Sequence, residues 1–122
     1  MTKRQERVNE LLREELSSLL RTELNDPRLG RGLITITEVQ VSPDLRHATV
    51  YVSFLGEADA QPEALRALQG AAPYLHRTLV PRLDLRNVPE LRFRFDPAIE
   101  RGARLAALIN QVQRERKVVD DA

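Results

Sequence analysis

Residues 68–91 read LQGAAPYLHRTLVPRLDLRNVPEL, and this stretch decides the fold. Leu65 and Leu68 close one amphipathic run, while Leu75, Leu79 and Leu83 form the apolar side of the next. The two runs meet at Ala71-Ala72-Pro73. Pro73 has no backbone N–H to donate, so it suits the first turn of a new helix better than the middle of an old one. The turn Val88-Pro89-Glu90-Leu91 then enters a strand in which Leu91, Phe93 and Phe95 alternate with Arg92 and Arg94. Helix, kink, helix and strand are expected in that order, with the phenylalanines turned into the core.

Upstream, Val8, Leu11, Leu12, Leu16, Leu19, Leu20 and Leu24 recur at three- and four-residue spacing and form one helical stripe. Thr2 and Gln5 have the spacing of a capping box, so this helix starts at the very terminus. Asn25-Asp26-Pro27 stops it, because the residue before a proline is pushed out of the α region. A turn at Gly30-Arg31-Gly32 leads into a strand from Leu33 to Ser42. Ile34 and Ile36 alternate in one phase and Val39 and Val41 in the other, which predicts a β-bulge near Thr37-Glu38. Ser42-Pro43-Asp44 is turn chemistry, and a second strand from about Leu45 to Leu55 completes an antiparallel hairpin. Pro62 opens the next helix. Beyond the third strand, Asp96-Pro97 reads as N-cap and first-turn proline of a last helix with Leu105, Leu108, Ile109 and Val112 inward.

The expected architecture is therefore α+β. One domain spans residues 1–113, in the order α-β-β-α-kink-α-β plus a C-terminal helix, with the helices on one face of a three-stranded sheet; a polar tail covers residues 114–122. This is the layout of a KH-type RNA-binding domain without its Gly-x-x-Gly loop.

Composition narrows the function classes. The chain has 122 residues, a 42% hydrophobic share and no cysteine. A thiolate nucleophile, a disulfide framework and any Cys-containing zinc site are thereby excluded. The start, MTKRQERVNE, is charged from its third residue, and no apolar run approaches the ~20 residues of a membrane span. A cytoplasmic protein with no membrane association is expected. The histidines, His47 and His76, belong to no Ser-His-Asp set, the acids show no metal-ligand spacing, and no phosphate-loop motif is present. Neither catalytic residue, metal nor cofactor is expected. The net charge of +1 conceals a division, with residues 33–65 carrying −4 and residues 66–104 carrying +4. Such asymmetry suits a polyanion on one part of the surface.

The chain resembles the ribosome-binding factor A family. The likeness covers about residues 4–112 and rests on Arg4 with Arg7-Val8 and on Asp26-Pro27-Arg28-Leu29. It continues through Val39-x-Val41-Ser42-x-Asp44-Leu45-x-x-Ala48-x-Val50-Tyr51-Val52 and closes with Leu85-Arg86-x-Val88-Pro89-Glu90-Leu91-x-Phe93-x-x-Asp96. The resemblance implies a type II KH-like fold with an Ala-x-Gly kink, which reads Ala71-Ala72-Pro73 here. It places His76, with Arg77 beside it, where the family usually has an arginine. It also implies binding to 16S rRNA in free, immature 30S subunits, help with late maturation and 5′-end processing, and importance in the cold. A ribosome-maturation GTPase is an implied further partner, and the chain itself is expected to be a monomer.

The candidate RNA-binding set is Arg4, Arg7, Arg28, Arg31, His76, Arg77, Arg82 and Arg86. Arg77, Arg82 and Arg86 lie on and after the second helical run as phosphate donors. Arg28 and Arg31 flank Gly30 in a loop, although Arg28 equally suits a cation at the end of the first helix. The competing reading is a protein-interaction module whose acidic hairpin docks a basic ribosomal protein.

Overall fold

The computed structural model describes residues 1–22, 32–98 and 109. Its first helix, α1, spans Lys3–Thr22. The capping box is formed in both directions: the Thr2 N–H donates to Gln5 Oε1 at 2.9 Å, and the Gln5 N–H donates to Thr2 Oγ1 at 3.1 Å. Val8, Leu12, Leu16 and Leu19 make the buried stripe, with Leu11 and Leu20 half-buried beside it. Leu24 lies outside the described residues.

Strands β1 (Gly32–Val41) and β2 (His47–Gly56) form the antiparallel hairpin, and the register shifts between Ile36 and Glu38, where the change of phase predicts a bulge. The extra residue has a use. The Thr37 hydroxyl donates to Asp96 Oδ2 at 2.6 Å, joining β1 to the chain just after the third strand. That strand, β3 (Glu90–Phe95), lies parallel to β2, giving a mixed sheet in the order β1-β2-β3. A parallel neighbour requires a crossover, supplied by a 3-10 turn at Ala58–Ala60 and helix α2 (Gln61–Leu79).

Both helices cover the same face. Leu12, Leu16, Leu19, Leu68, Leu75 and Leu79 are fully buried against Val39, Val50, Val52, Leu91 and Phe93 of the sheet. Truncating one such leucine to alanine typically costs about 2–5 kcal/mol. Phe93 is buried as expected, and Phe95 is half-buried between this core and a smaller cluster of Phe54, Ala60 and Ala64. Gly32 serves that cluster by being small: a Cβ there would lie 2.5 Å from Phe54 Cζ.

The expected break in the second helix is not a break. Gln61–Leu79 is one helix with Pro73 inside it, so the proline interrupts the hydrogen-bond ladder instead of opening a second element. The Gln69 carbonyl loses its usual i+4 donor. Packing explains why the helix continues. Ala64, Ala67 and Leu68 before the proline and Leu75 and Leu79 after it are buried on one face. That common face holds both halves against the sheet.

Asp96 caps the next helical turn as expected, accepting at Oδ1 from the Ala98 N–H at 2.9 Å. Most of the expected last helix, including Leu105, Leu108 and Val112, and the tail 114–122 lie outside the described residues. Ile109 is helical but 49% exposed, so it is not turned fully inward.

Candidate nucleic-acid interface

Two side chains of α1 set the geometry at one end of the sheet. Asn9 Oδ1 accepts the Val41 N–H at 2.8 Å, and buried Gln5 reaches the Val41 carbonyl with Nε2 at 3.5 Å. They fasten the start of α1 to the end of β1. Arg4, one turn before Val8, is thereby carried beside the hairpin turn.

That turn is built tightly. The Leu45 N–H donates to the Ser42 carbonyl at 2.9 Å, and Leu45 takes a φ of 60°, a left-handed conformation uncommon for leucine. Asp44 Oδ1 accepts from the Ser42 hydroxyl at 2.6 Å and from the Arg46 N–H at 3.1 Å. The Ser42 bond first, then the Arg46 amide, hold the Asp44 carboxyl below its ordinary value, so it is ionised at neutral pH.

The loop of residues 80–89 brings the third wall. It is held from both sides: His76 Nε2 lies 2.9 Å from the Val88 carbonyl oxygen, and the Arg82 guanidinium lies 3.8 Å from Glu15 Oε2 on α1. Between these walls lies a cavity of about 350 Å³. Exposed Arg4, Arg46 and Arg86 line it, together with Asp44 and Asn87. Val8, Leu45, Leu85 and Pro89 supply its apolar lining. None of the three arginines forms an ion pair with a described residue.

A second depression, of about 420 Å³, lies between α2 and the start of β3 and is lined by Ala72, Pro73, His76, Arg77, Glu90 and Leu91. Ala72 and Pro73 thus lie beside Arg77 in this depression, while Ala71 is not in its lining and His76 has a hydrogen-bonded, half-buried ring. Arg7 is exposed on α1. Arg28 and Arg31 lie outside the described residues. His47 faces Glu90 across the β2–β3 register, with Nδ1 3.5 Å from Glu90 Oε2.

Arg46 is the functional candidate that sequence reasoning missed. It is the lone cation of an acidic segment, and its proximity to Arg4 and Arg86 depends on contacts between elements distant in the chain. Among the described residues no cluster of His, Cys, Asp and Glu could hold a metal ion, and no helix is long and apolar enough to cross a membrane.

Residues 4–109 match the family model described as ribosome-binding factor A. The ribosome-binding factor A of Thermomicrobium roseum is 46% identical over 114 residues, which cover 93% of this chain and 87% of that one. The Nitrosococcus oceani protein is 49% identical, covering 92% of this chain and 87% of its own. Among solved structures, the crystal structure of ribosome-binding factor A from Thermus thermophilus has a TM-score of 0.65 at 32% identity, covering 75% of this chain and 93% of that one. A Thermus thermophilus homology model, fitted into a cryo-EM map of a complex of the 30S subunit with ribosome-binding factor A, has a TM-score of 0.59 at 34% identity, covering 73% and 91%. These likenesses carry the KH-like fold with them. Matched along nearly its whole length and sharing almost half its residues with curated relatives, the chain belongs to the ribosome-binding factor A family.

Proposed function

We propose that this chain is a non-enzymatic assembly factor that binds 16S rRNA on free, immature 30S subunits in the cytoplasm and promotes their late maturation. The observation that carries this reading is its likeness to the Thermus thermophilus factor fitted into a 30S complex. The geometry supports RNA as the contacted component, because guanidinium groups from three separate elements surround one cavity without ion-pair partners among the described residues. Arg4, Arg7 and Arg77 donate to phosphate oxygens, joined by Arg28 and Arg31 from the segment before β1, and Arg86 adds a further guanidinium donor to the RNA. His76 and Arg82 act by holding the loop that carries Arg86. A role in 5′-end processing and in the cold, and contact with a ribosome-maturation GTPase, complete the proposal.

Sedimentation of the tagged protein through a sucrose gradient of cell lysate tests it. Comigration with free 30S particles and not with 70S ribosomes is expected. Sedimentation away from ribosomal particles altogether would end this reading. Binding should also weaken steeply with salt, since contact with about five phosphates gives a log–log slope of roughly −3.5 to −4.5. A slope near zero would favour a protein partner instead.

A further inference from the structure

The cavity at the hairpin turn contains one group that a plain phosphate site would exclude. Asp44 stands among Arg4, Arg46 and Arg86, and its carboxylate would repel an anion. The carboxylate is also only half used. Both hydrogen bonds from Ser42 and Arg46 fall on Oδ1, leaving Oδ2 without a hydrogen-bond partner among the described residues. A site with guanidinium donors, a free carboxylate oxygen and an apolar floor suits a ligand that is anionic at one end, flat in the middle and edged with N–H donors. A nucleotide is such a ligand. The volume of about 350 Å³ lies at the small end of the ~300–1,000 Å³ range of ligand pockets, room for one nucleotide and not a stacked pair.

The edge chemistry separates the bases. Guanine presents the N1 and N2 donors side by side with the O6 and N7 acceptors adjoining them, matching a carboxylate next to a guanidinium. Uracil offers a single N–H, and adenine lacks an exocyclic oxygen for the arginine. Unstacked bases of single-stranded RNA are open to this kind of reading along their edges.

We propose that the cavity bounded by Arg4, Arg46, Arg86 and Asp44 binds one unstacked guanine nucleotide of single-stranded RNA. Asp44 Oδ2 accepts from the guanine N1–H and N2–H edge. Arg86 donates to O6, and Arg4 and Arg46 hold the flanking phosphates. The base lies on the half-buried Leu45 and Leu85. This deepens the RNA-binding reading above and rests on it. Leu45, with its left-handed φ, and its neighbours Asp44 and Arg46 all line the pocket.

Fluorescence anisotropy with labelled octamers tests the assignment, comparing an all-uridine octamer with octamers carrying a single central G, A or C. The intact chain should prefer the G octamer over the other three by at least about fivefold, the lower end of what one good base-edge pair confers. Asp44→Asn keeps an Oδ1 acceptor for Ser42 and the Arg46 amide, and should bring that ratio within about twofold. Arg46→Ala, at an exposed side chain, should weaken all four octamers and flatten the salt slope by about 1. Equal affinity for the four octamers, a preference for another base, or a G preference that survives Asp44→Asn in a variant with an unchanged melting curve overturns the guanine pocket. Binding of all four with a steep salt dependence would in that case leave the general RNA-binding reading standing; binding of none would remove both.

Discussion

Two basic regions of this molecule differ both in their spacing along the chain and in their surroundings in space. Arg4, Arg46 and Arg86 come from α1, the hairpin turn and the loop after α2, and they converge on one cavity without ion-pair partners among the described residues. His76, Arg77 and Arg82 are neighbours along α2 and its exit, yet two of them are engaged at once. His76 holds the Val88 carbonyl oxygen, and Arg82 approaches Glu15. Clustering along the chain therefore says little about which cations are available. Availability depends on what the fold places opposite each one. Here the close group braces a loop, and that loop presents Arg86 of the scattered group.

Replacing Arg4, Arg46 and Arg86 together by alanine should produce the largest effect. The log–log salt slope on single-stranded RNA is expected to flatten by about 1.4, at ~0.7 for each of the phosphate contacts of Arg4 and Arg46, with a large loss of affinity at low salt. Thermal stability should stay within about 0.5 kcal/mol, because all three side chains are exposed. A comparable loss from Arg82→Ala alone would break the contrast between the two regions.

Pro73→Ala comes next. It restores the N–H that the Gln69 carbonyl lacks and removes a poor helix residue, so chemical denaturation should show a gain of about 1–3 kcal/mol. Were Pro73 the start of a separate helix, the same change would lower stability by about 0.4–1 kcal/mol. The sign of the measured change thus reports directly on helix continuity.

His76→Ala removes the partner of the Val88 carbonyl and should cost about 0.5–1.5 kcal/mol. RNA affinity should fall with it, through a loosened Arg86, whereas a His76→Gln variant that regains the bond should recover both. Loss of affinity with unchanged stability would make His76 a direct RNA ligand and move it to the other side of the comparison. The smallest effect belongs to Arg82→Ala. The pair with Glu15 is partly exposed, so a cost of about 0.2–1 kcal/mol is expected, with RNA affinity within about twofold.

Much of the scaffold was legible because its signals are local. Thr2 and Gln5 bond each other within one turn, the bulge follows from a change of phase at Thr37-Glu38, and Asp96 caps the turn directly after it. What escaped depends on distant partners. The continuity of α2 through Pro73 comes from burial of Leu68, Leu75 and Leu79 on one face, which outweighs the preference of proline for a helix start. Arg46 looked isolated in an acidic segment until Asn9 and Gln5 anchored α1 at Val41 and brought Arg4 beside the turn. The His76 contact with Val88 depends on where the loop folds back, which no spacing records.

Among the described residues the parallel addition of β3 makes it an edge strand, and an edge strand offers its backbone to any passing chain. Arg92 and Arg94 project from this edge strand and set two like charges against a second copy. At the opposite edge, β1 is bent by its bulge, and its last amide is occupied by Asn9. The sheet is thus protected against growing from either side by quite different means. Substituting Arg92 and Arg94 together should therefore lower solubility, through self-association that light scattering would register, whether or not RNA binding changes.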